Sequence, residues 1–224
     1  MAETILSLTD VWKSYSNGDY VLKAINLRAD AGEFVGIYGR SGSGKSTLLR
    51  LMGLLDSPTK GKVVLLGRDV SAMTSSEKAA ARRDKLGFTF QGFNLIPHIT
   101  ALENIEVPMW LAKVDEQRRK ERALALLSQF GLEKLSARYP RQLSHGEQQR
   151  VAAVRAMVNN PRVILADEPT SSLDDESART FLELVSKLNR EFGTAVVMTS
   201  TDPEEAKACN TAYRLSGGSL ASER

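Results

Sequence analysis

The sequence predicts an α/β fold built on a largely parallel sheet, with an antiparallel β part at the N-terminus and an inserted helical lobe. Three observations predict it. Short apolar runs bounded by turn residues alternate with amphipathic helical stretches, the pattern of a sheet covered on both faces. Strand signals vanish from about Thr100 to Tyr139 and return after Pro140. A glycine-rich loop, Gly39-Arg40-Ser41-Gly42-Ser43-Gly44-Lys45-Ser46-Thr47, stands between an apolar run and a helical stretch.

In order along the chain, Ile5-Leu6-Ser7-Leu8 and Val21 to Leu27 alternate as strands do, separated by a Ser16-Asn17-Gly18-Asp19 turn. Phe34-Val35-Gly36-Ile37-Tyr38 reads as a buried strand, and Ser46 to Met52 opens a helix. Lys62 to Leu66 is a strand, Glu77 to Arg83 a short helix, and Leu86 to Phe90 a strand leading to Gln91. The lobe is helical because Ala123, Leu124, Leu126, Leu127 and Phe130 recur at helical spacing before Gly131. Gly146 to Asn159 is a helix, and Val163-Ile164-Leu165-Ala166 a core strand. Ser177 to Phe192 is a helix with Phe181, Leu182, Leu184, Val185 and Leu188 on one face; Ala195 to Met198 is a strand. The whole of 1–224 reads as one domain: 1–92 and 140–224 form the core and about 93–139 the lobe.

The 224 residues are ample for a sizeable core. With 30 basic and 27 acidic residues the net charge is +3, too balanced to point to nucleic acid. A single cysteine, Cys209, excludes an internal disulfide. Met1-Ala2-Glu3-Thr4-Ile5 lacks the basic start and apolar stretch of a signal peptide. No run of about 18 apolar residues is present, so a membrane-spanning part has to come from a partner.

The glycine-rich loop fits G-x-x-x-x-G-K-[ST] in its required strand–loop–helix setting. Triphosphate oxygens only accept hydrogen bonds, so such a loop turns many backbone N–H groups inward, and the following helix adds its positive end. Lys45 brings a charge to the outer phosphates, and Ser46 is placed to ligate Mg²⁺. At the end of the later core strand stand Asp167 and Glu168. Ligands bind at such strand ends in open parallel sheets. There Asp167 would hold Mg²⁺ opposite Ser46, and Glu168 is the natural general base for the water attacking the γ-phosphate. A third segment, Leu143-Ser144-His145-Gly146-Glu147-Gln148-Gln149-Arg150, has two explanations of equal weight. Ser144 with Glu147 makes a capping box; an exposed helix N-terminus also binds phosphate.

The order of these pieces resembles the ATP-binding subunit of ABC transporters, over nearly the whole chain. The resemblance implies a P-loop NTPase core, ATP and Mg²⁺ as ligands, and ATP hydrolysis. It implies that Tyr15 stacks on adenine and that Gln91 contacts Mg²⁺ and links the site to a membrane partner. Ser171-Ser172-Leu173-Asp174 resembles the loop that crosses to a second subunit. Two copies then pair head to tail, so that Ser144 and Gly146 of one close on ATP held by Lys45 of the other. An integral-membrane permease subunit is the further implied partner, placing the chain at the cytoplasmic face of the membrane. Ser75-Ser76-Glu77, Phe93 to Pro97 and Thr100 to Ile105 are similar to the lipoprotein-release and macrolide-efflux group, whose complexes do mechanical work.

Two positions depart from that family. Thr201 stands where a histidine usually contacts the γ-phosphate, and the chain holds only His98 and His145. A threonine hydroxyl is shorter and carries no charge at neutral pH. Slow hydrolysis with near-normal ATP binding is the expectation, and a slow ATP-dependent clamp without a transport partner is the alternative function. His145 replaces the first glycine of the usual Ser-Gly-Gly. Its ring either points into solvent or lies near the partner's nucleotide. Arg118, Arg119, Lys120 and Arg122 read as a solvated helix face. Of Phe93, Leu95, Ile96, Pro108, Met109 and Trp110, most are expected in the core and some exposed, to receive a helix of the membrane subunit.

Overall fold

The computed structural model describes residues 3–15 and 18–223. Ser16 and Asn17 of the expected first turn, and Met1 and Ala2, lie outside the described residues.

Two sheets and seven helices are present among the described residues. Strands β1 (Thr4–Ser14), β2 (Tyr20–Asp30), β4 (Lys60–Leu65) and β5 (Arg68–Asp69) form an antiparallel sheet in the order β2-β1-β4-β5. Strands β3 (Phe34–Tyr38), β6 (Leu86–Phe90), β7 (Val163–Asp167), β8 (Ala195–Ser200), β9 (Thr211–Ser216) and β10 (Ser219–Glu223) form the second sheet, ordered β10-β9-β3-β8-β7-β6. All its neighbours are parallel except β9 and β10. The helices are α1 (Lys45–Met52), α2 (Ser75–Lys85), α3 (Ala101–Leu111), α4 (Glu116–Gln129), α5 (His145–Met157), α6 (Asp175–Phe192) and α7 (Pro203–Lys207). The antiparallel sheet, the mostly parallel sheet and the helical subdomain of α3 and α4 match the expected fold class.

The parallel strands are apolar throughout because both their faces are covered. Along β7 the side chains alternate between two cores. Val163 and Leu165 pack with β1, β2, β4 and α1. Ile164 and Ala166 pack with the lobe, α5 and α6. Ala195 and Val197 of β8 likewise face the first core, Val196 and Met198 the second. Burying each Val, Ile, Leu or Met of this set contributes roughly 1.5–3 kcal/mol, so this double-sided strand pair anchors the molecule.

Register then places the functional ends. Phe90 lies opposite Asp167, Asp167 opposite Thr199, and Tyr38 opposite Ser200. The residues that leave the sheet next are therefore Gln91, Glu168, Gly39 and Thr201, side by side on one edge.

Several expectations need correction. β4 ends at Leu65, because Leu66 turns with a φ of 50°. α2 starts at Ser75, where Thr74 and Glu77 make a capping box. α6 starts two residues early, capped by Asp174. Leu124 is exposed at 39%; Ala123, Leu126 and Leu127 suffice to seat α4. Arg119 and Arg122 are not simply solvated. Arg119 donates to Val114 O and faces Glu106 at 3.7 Å, while Arg122 donates to Val158 O and to Asn160. Met109 is buried, whereas Ile96 and Trp110 are exposed.

Candidate functional site

Strand β3 delivers the glycine-rich loop, and Gly44 closes it as the N-cap of α1 at a φ of 105°. That conformation is costly for any residue with a Cβ. Lys45, the first residue of α1, turns back under the loop and is only 3% exposed. Its ammonium has three protons and finds three acceptors. It donates to Gly39 O at 2.7 Å and Arg40 O at 3.0 Å, and pairs with Glu168 Oε1 at 3.1 Å.

Across the sheet, Asp167 Oδ1 accepts from Ser46 Oγ at 3.2 Å and from Thr199 Oγ1 at 2.9 Å. The Thr199 hydroxyl is fully buried and also accepts the Glu168 N–H at 3.1 Å. Glu168 itself turns with a φ of 44°, a left-handed backbone that non-glycine residues avoid. Thr199 therefore fixes the Asp167 carboxylate and the strained step that points Glu168 at Lys45. Sequence reasoning missed Thr199; a hydroxyl closing the apolar run Val196-Val197-Met198 was the available signal.

These groups line a cleft of about 320 Å³. Ser41, Gly42, Gly44, Lys45, Ser46 and Thr47 form one side, and Gln91, Asp167 and Glu168 the other, with Val21 at its edge. The remaining predicted loop residues, Gly39, Arg40 and Ser43, line a neighbouring depression together with Thr201. Thr201 is exposed and also shares a smaller cavity of about 150 Å³ with Glu168.

The donor set fits a magnesium ion. Mg²⁺ takes oxygen ligands and is commonly held by one or two protein groups plus phosphates. Ser46 Oγ and Asp167 Oδ1 converge within 3.2 Å, and Gln91 lines the same wall. Among the described residues no cluster of three carboxylate, histidine or cysteine ligands exists, and a phosphate-bridged ion needs none.

Four further predicted residues line neither this cleft nor the depression beside it. Tyr15 is 58% exposed; its hydroxyl donates to Asp56 Oδ2 at 2.9 Å, and Lys13 Nζ sits 4.7 Å from its ring centre. Ser144 caps α5 with Glu147 in a full capping box. Asp174 caps α6, accepting from Ser177 N at 2.8 Å and Ser177 Oγ at 3.0 Å, and these bonds hold its carboxyl below the usual range. Gly146 has a reason inside its own chain. A Cβ there would lie 2.8 Å from Ser177 Oγ, so glycine lets α5 meet α6. His145 is exposed, with its ring 5.4 Å from that of Phe93. Cys209 is inert: burial pushes its thiol up to about 12.

Comparison with known proteins agrees with this geometry. Residues 22–171 match the ABC transporter family. An uncharacterized ABC transporter ATP-binding protein of Methanocaldococcus jannaschii, MJ1508, is 45% identical over 96% of this chain and 97% of its own. YtrE of Bacillus subtilis, an ABC transporter ATP-binding protein, is 45% identical over 93% of this chain and 90% of its own. The macrolide export ATP-binding/permease protein MacB of Syntrophobacter fumaroxidans is 40% identical over 98% of this chain, which spans only 31% of that larger protein. The dimeric structure of the ATP-binding cassette MJ0796, in a post-hydrolysis state bound to ADP and Pi, superposes with a TM-score of 0.88 at 42% identity, covering 98% of both chains. The matched stretch begins in β2, ahead of the glycine-rich loop, and runs past Asp167 and Glu168, and the chain belongs to the ABC transporter family as an ATP-binding cassette.

Proposed function

We propose that this chain binds ATP with Mg²⁺, dimerises head to tail around two nucleotides, and hydrolyses them to drive a separate membrane subunit of the export or mechanical-transmission type. The observation that carries the proposal is the meeting of Lys45, Ser46, Asp167 and Glu168 within 3.2 Å of one another in pairs at the strand ends. In this reading the loop amides and Lys45 hold the β- and γ-phosphates. Ser46, Asp167 and Gln91 hold Mg²⁺, which would offset charge on the phosphates. Glu168 takes the proton of the attacking water, and Lys45, its partner at 3.1 Å, moves to the phosphate when ATP enters.

Ser144 and Gly146 contribute to the second subunit's site, with Asp174 beside them. Support comes from their absence from their own chain's cleft and from the dimeric state of the MJ0796 cassette. Tyr15 supplies the adenine platform. Thr201 makes turnover slow, because a neutral hydroxyl replaces a charged contact at the reacting phosphate. A permease-type membrane partner is supported by the macrolide export ATP-binding/permease protein MacB, of whose length this chain spans 31%. No helix among the described residues is long and apolar enough to cross a membrane. The docking surface for that partner includes Trp110, 63% exposed, and the exposed loop residue Ile96, whose backbone N–H donates to Asn104 of the helix that carries Trp110.

Isolation of the chain from its native membranes in mild detergent tests this. A stoichiometric integral-membrane subunit, lost on Trp110→Asp while ATP binding persists, is the expected result. A soluble ATP-bound dimer with no membrane subunit would favour the clamp instead.

A further inference from the structure

The segment after β6 is held carbonyl by carbonyl. Phe90 O accepts from Gln149 Nε2 at 3.2 Å, Gln91 O from Ser172 Oγ at 3.3 Å, and Gly92 O from Asn94 N at 2.5 Å. Phe93 O and Asn94 O both accept from Arg155, at 2.9 and 2.5 Å. The backbone held this way is strained: Phe93 and Asn94 both have left-handed φ values, 55° and 49°. Such residues persist only when their surroundings over-determine them.

Arg155 is the principal restraint. It is the one charged residue in Val151-Ala152-Ala153-Val154-Arg155-Ala156-Met157. Its planar fork engages two successive carbonyls through two different nitrogens held in fixed geometry. Burial pushes it down to about 10, with no carboxylate contributing, and it remains charged at neutral pH. Among the described residues its hydrogen bonds go to these two carbonyl oxygens. Gln149 lies on the same helix and is fully buried. At the other end of α5 the His145 ring meets Phe93 at 5.4 Å. A glycine there would make no such contact.

We propose that Arg155 is a positioning residue for Gln91. Through α5, and with His145 as a second contact, it ties the Gln91 loop to the Ser144–Gly146 segment, so that the two move as one unit when the dimer closes. This rests on the functional reading above: Gln91 in the cleft and Ser144 facing the second subunit.

The test uses the full chain with Arg155→Met, which keeps an unbranched apolar stem but donates to neither carbonyl, and Arg155→Lys, which keeps the charge but not the fixed fork. Amide hydrogen exchange at residues 92–95, ATP half-saturation and kcat are measured below the unfolding temperature. For Arg155→Met, exchange at these amides rises at least tenfold, kcat falls at least tenfold, and ATP half-saturation stays within threefold. Arg155→Lys falls between. Parallel loss of nucleotide affinity, kcat and thermal stability with unchanged relative exchange would mark Arg155 as merely structural and overturn the proposal. So would wild-type exchange and kcat in a folded variant. If Arg155→Met does not fold, Arg155→Lys and His145→Gly decide: each is expected to raise exchange at residues 92–95 at least twofold, and no rise in either overturns the latch. A wild-type chain that binds no ATP would sink the functional reading instead, which separates the two failures.

Discussion

The Lys45 cleft and the Ser144 surface are both helix N-termini, yet they are finished differently. At the cleft, one chain gathers a buried ammonium, two carboxylates and the glycine-rich loop around one space. At the surface, the same chain satisfies its own groups: Ser144 and Glu147 cap each other's backbone, and Asp174 caps α6. On the proposed reading, the difference means that one half of the site is assembled within a single chain and the other would gain a ligand only from a second copy.

The comparison is broken most severely at Glu168. Glu168→Gln should cost about 10²–10⁴ in kcat as a lost general base, while sedimentation with ATP still shows a dimer. Hydrolysis at the wild-type rate would remove Glu168 from that role. Thr201→His should act in the opposite direction, raising kcat by roughly one to three decades, since each 1.36 kcal/mol is about tenfold. A fast wild type that histidine does not improve would contradict the slow-turnover proposal.

Ser144→Asp sharpens the contrast because it preserves the cap, where Asp and Ser are about equal. The added charge would meet only a partner's phosphates. ATP-driven dimerisation should fall at least tenfold with monomer ATP binding unchanged; unchanged dimerisation would leave Ser144 as a cap alone. The smallest effect is on stability. Gly146→Ala forces a methyl within 2.9 Å of Ser177 and should cost about 1–3 kcal/mol as overpacking, read by chemical denaturation. A neutral result would mean that α5 and α6 can separate there.

How much of this could be read from the residues differs between the same two regions. Lys45, Ser46, Asp167 and Glu168 are legible because their chemistry depends on consecutive residues at the ends of apolar strands. Even the alternation of β7 between two cores follows from a run with no polar member. The hairpin of β9 and β10 escaped because only Ala212 and Leu215 of β9 are buried, leaving little periodicity. Its signal was Gly217-Gly218, both at positive φ, a two-residue turn between strands. Helix α7 was announced by Asp202 followed by Pro203, a cap and a proline at the first helical turn. The roles of Arg155 and Thr199 went unread, although a hydroxyl closing the Val196-Val197-Met198 run marked Thr199 as a position to ask about. Each sits in an apolar run, and its role comes from carbonyls, an amide and a carboxylate that only the tertiary fold brings near.

The most direct measurement mixes two crippled chains, Lys45→Ala and Ser144→Asp, and follows ATP-dependent dimerisation. Each alone should stay monomeric. Together they should form a dimer holding one ATP, because Lys45 of one chain and Ser144 of the other make one intact site. No recovery in a mixture of two folded variants would contradict the shared site.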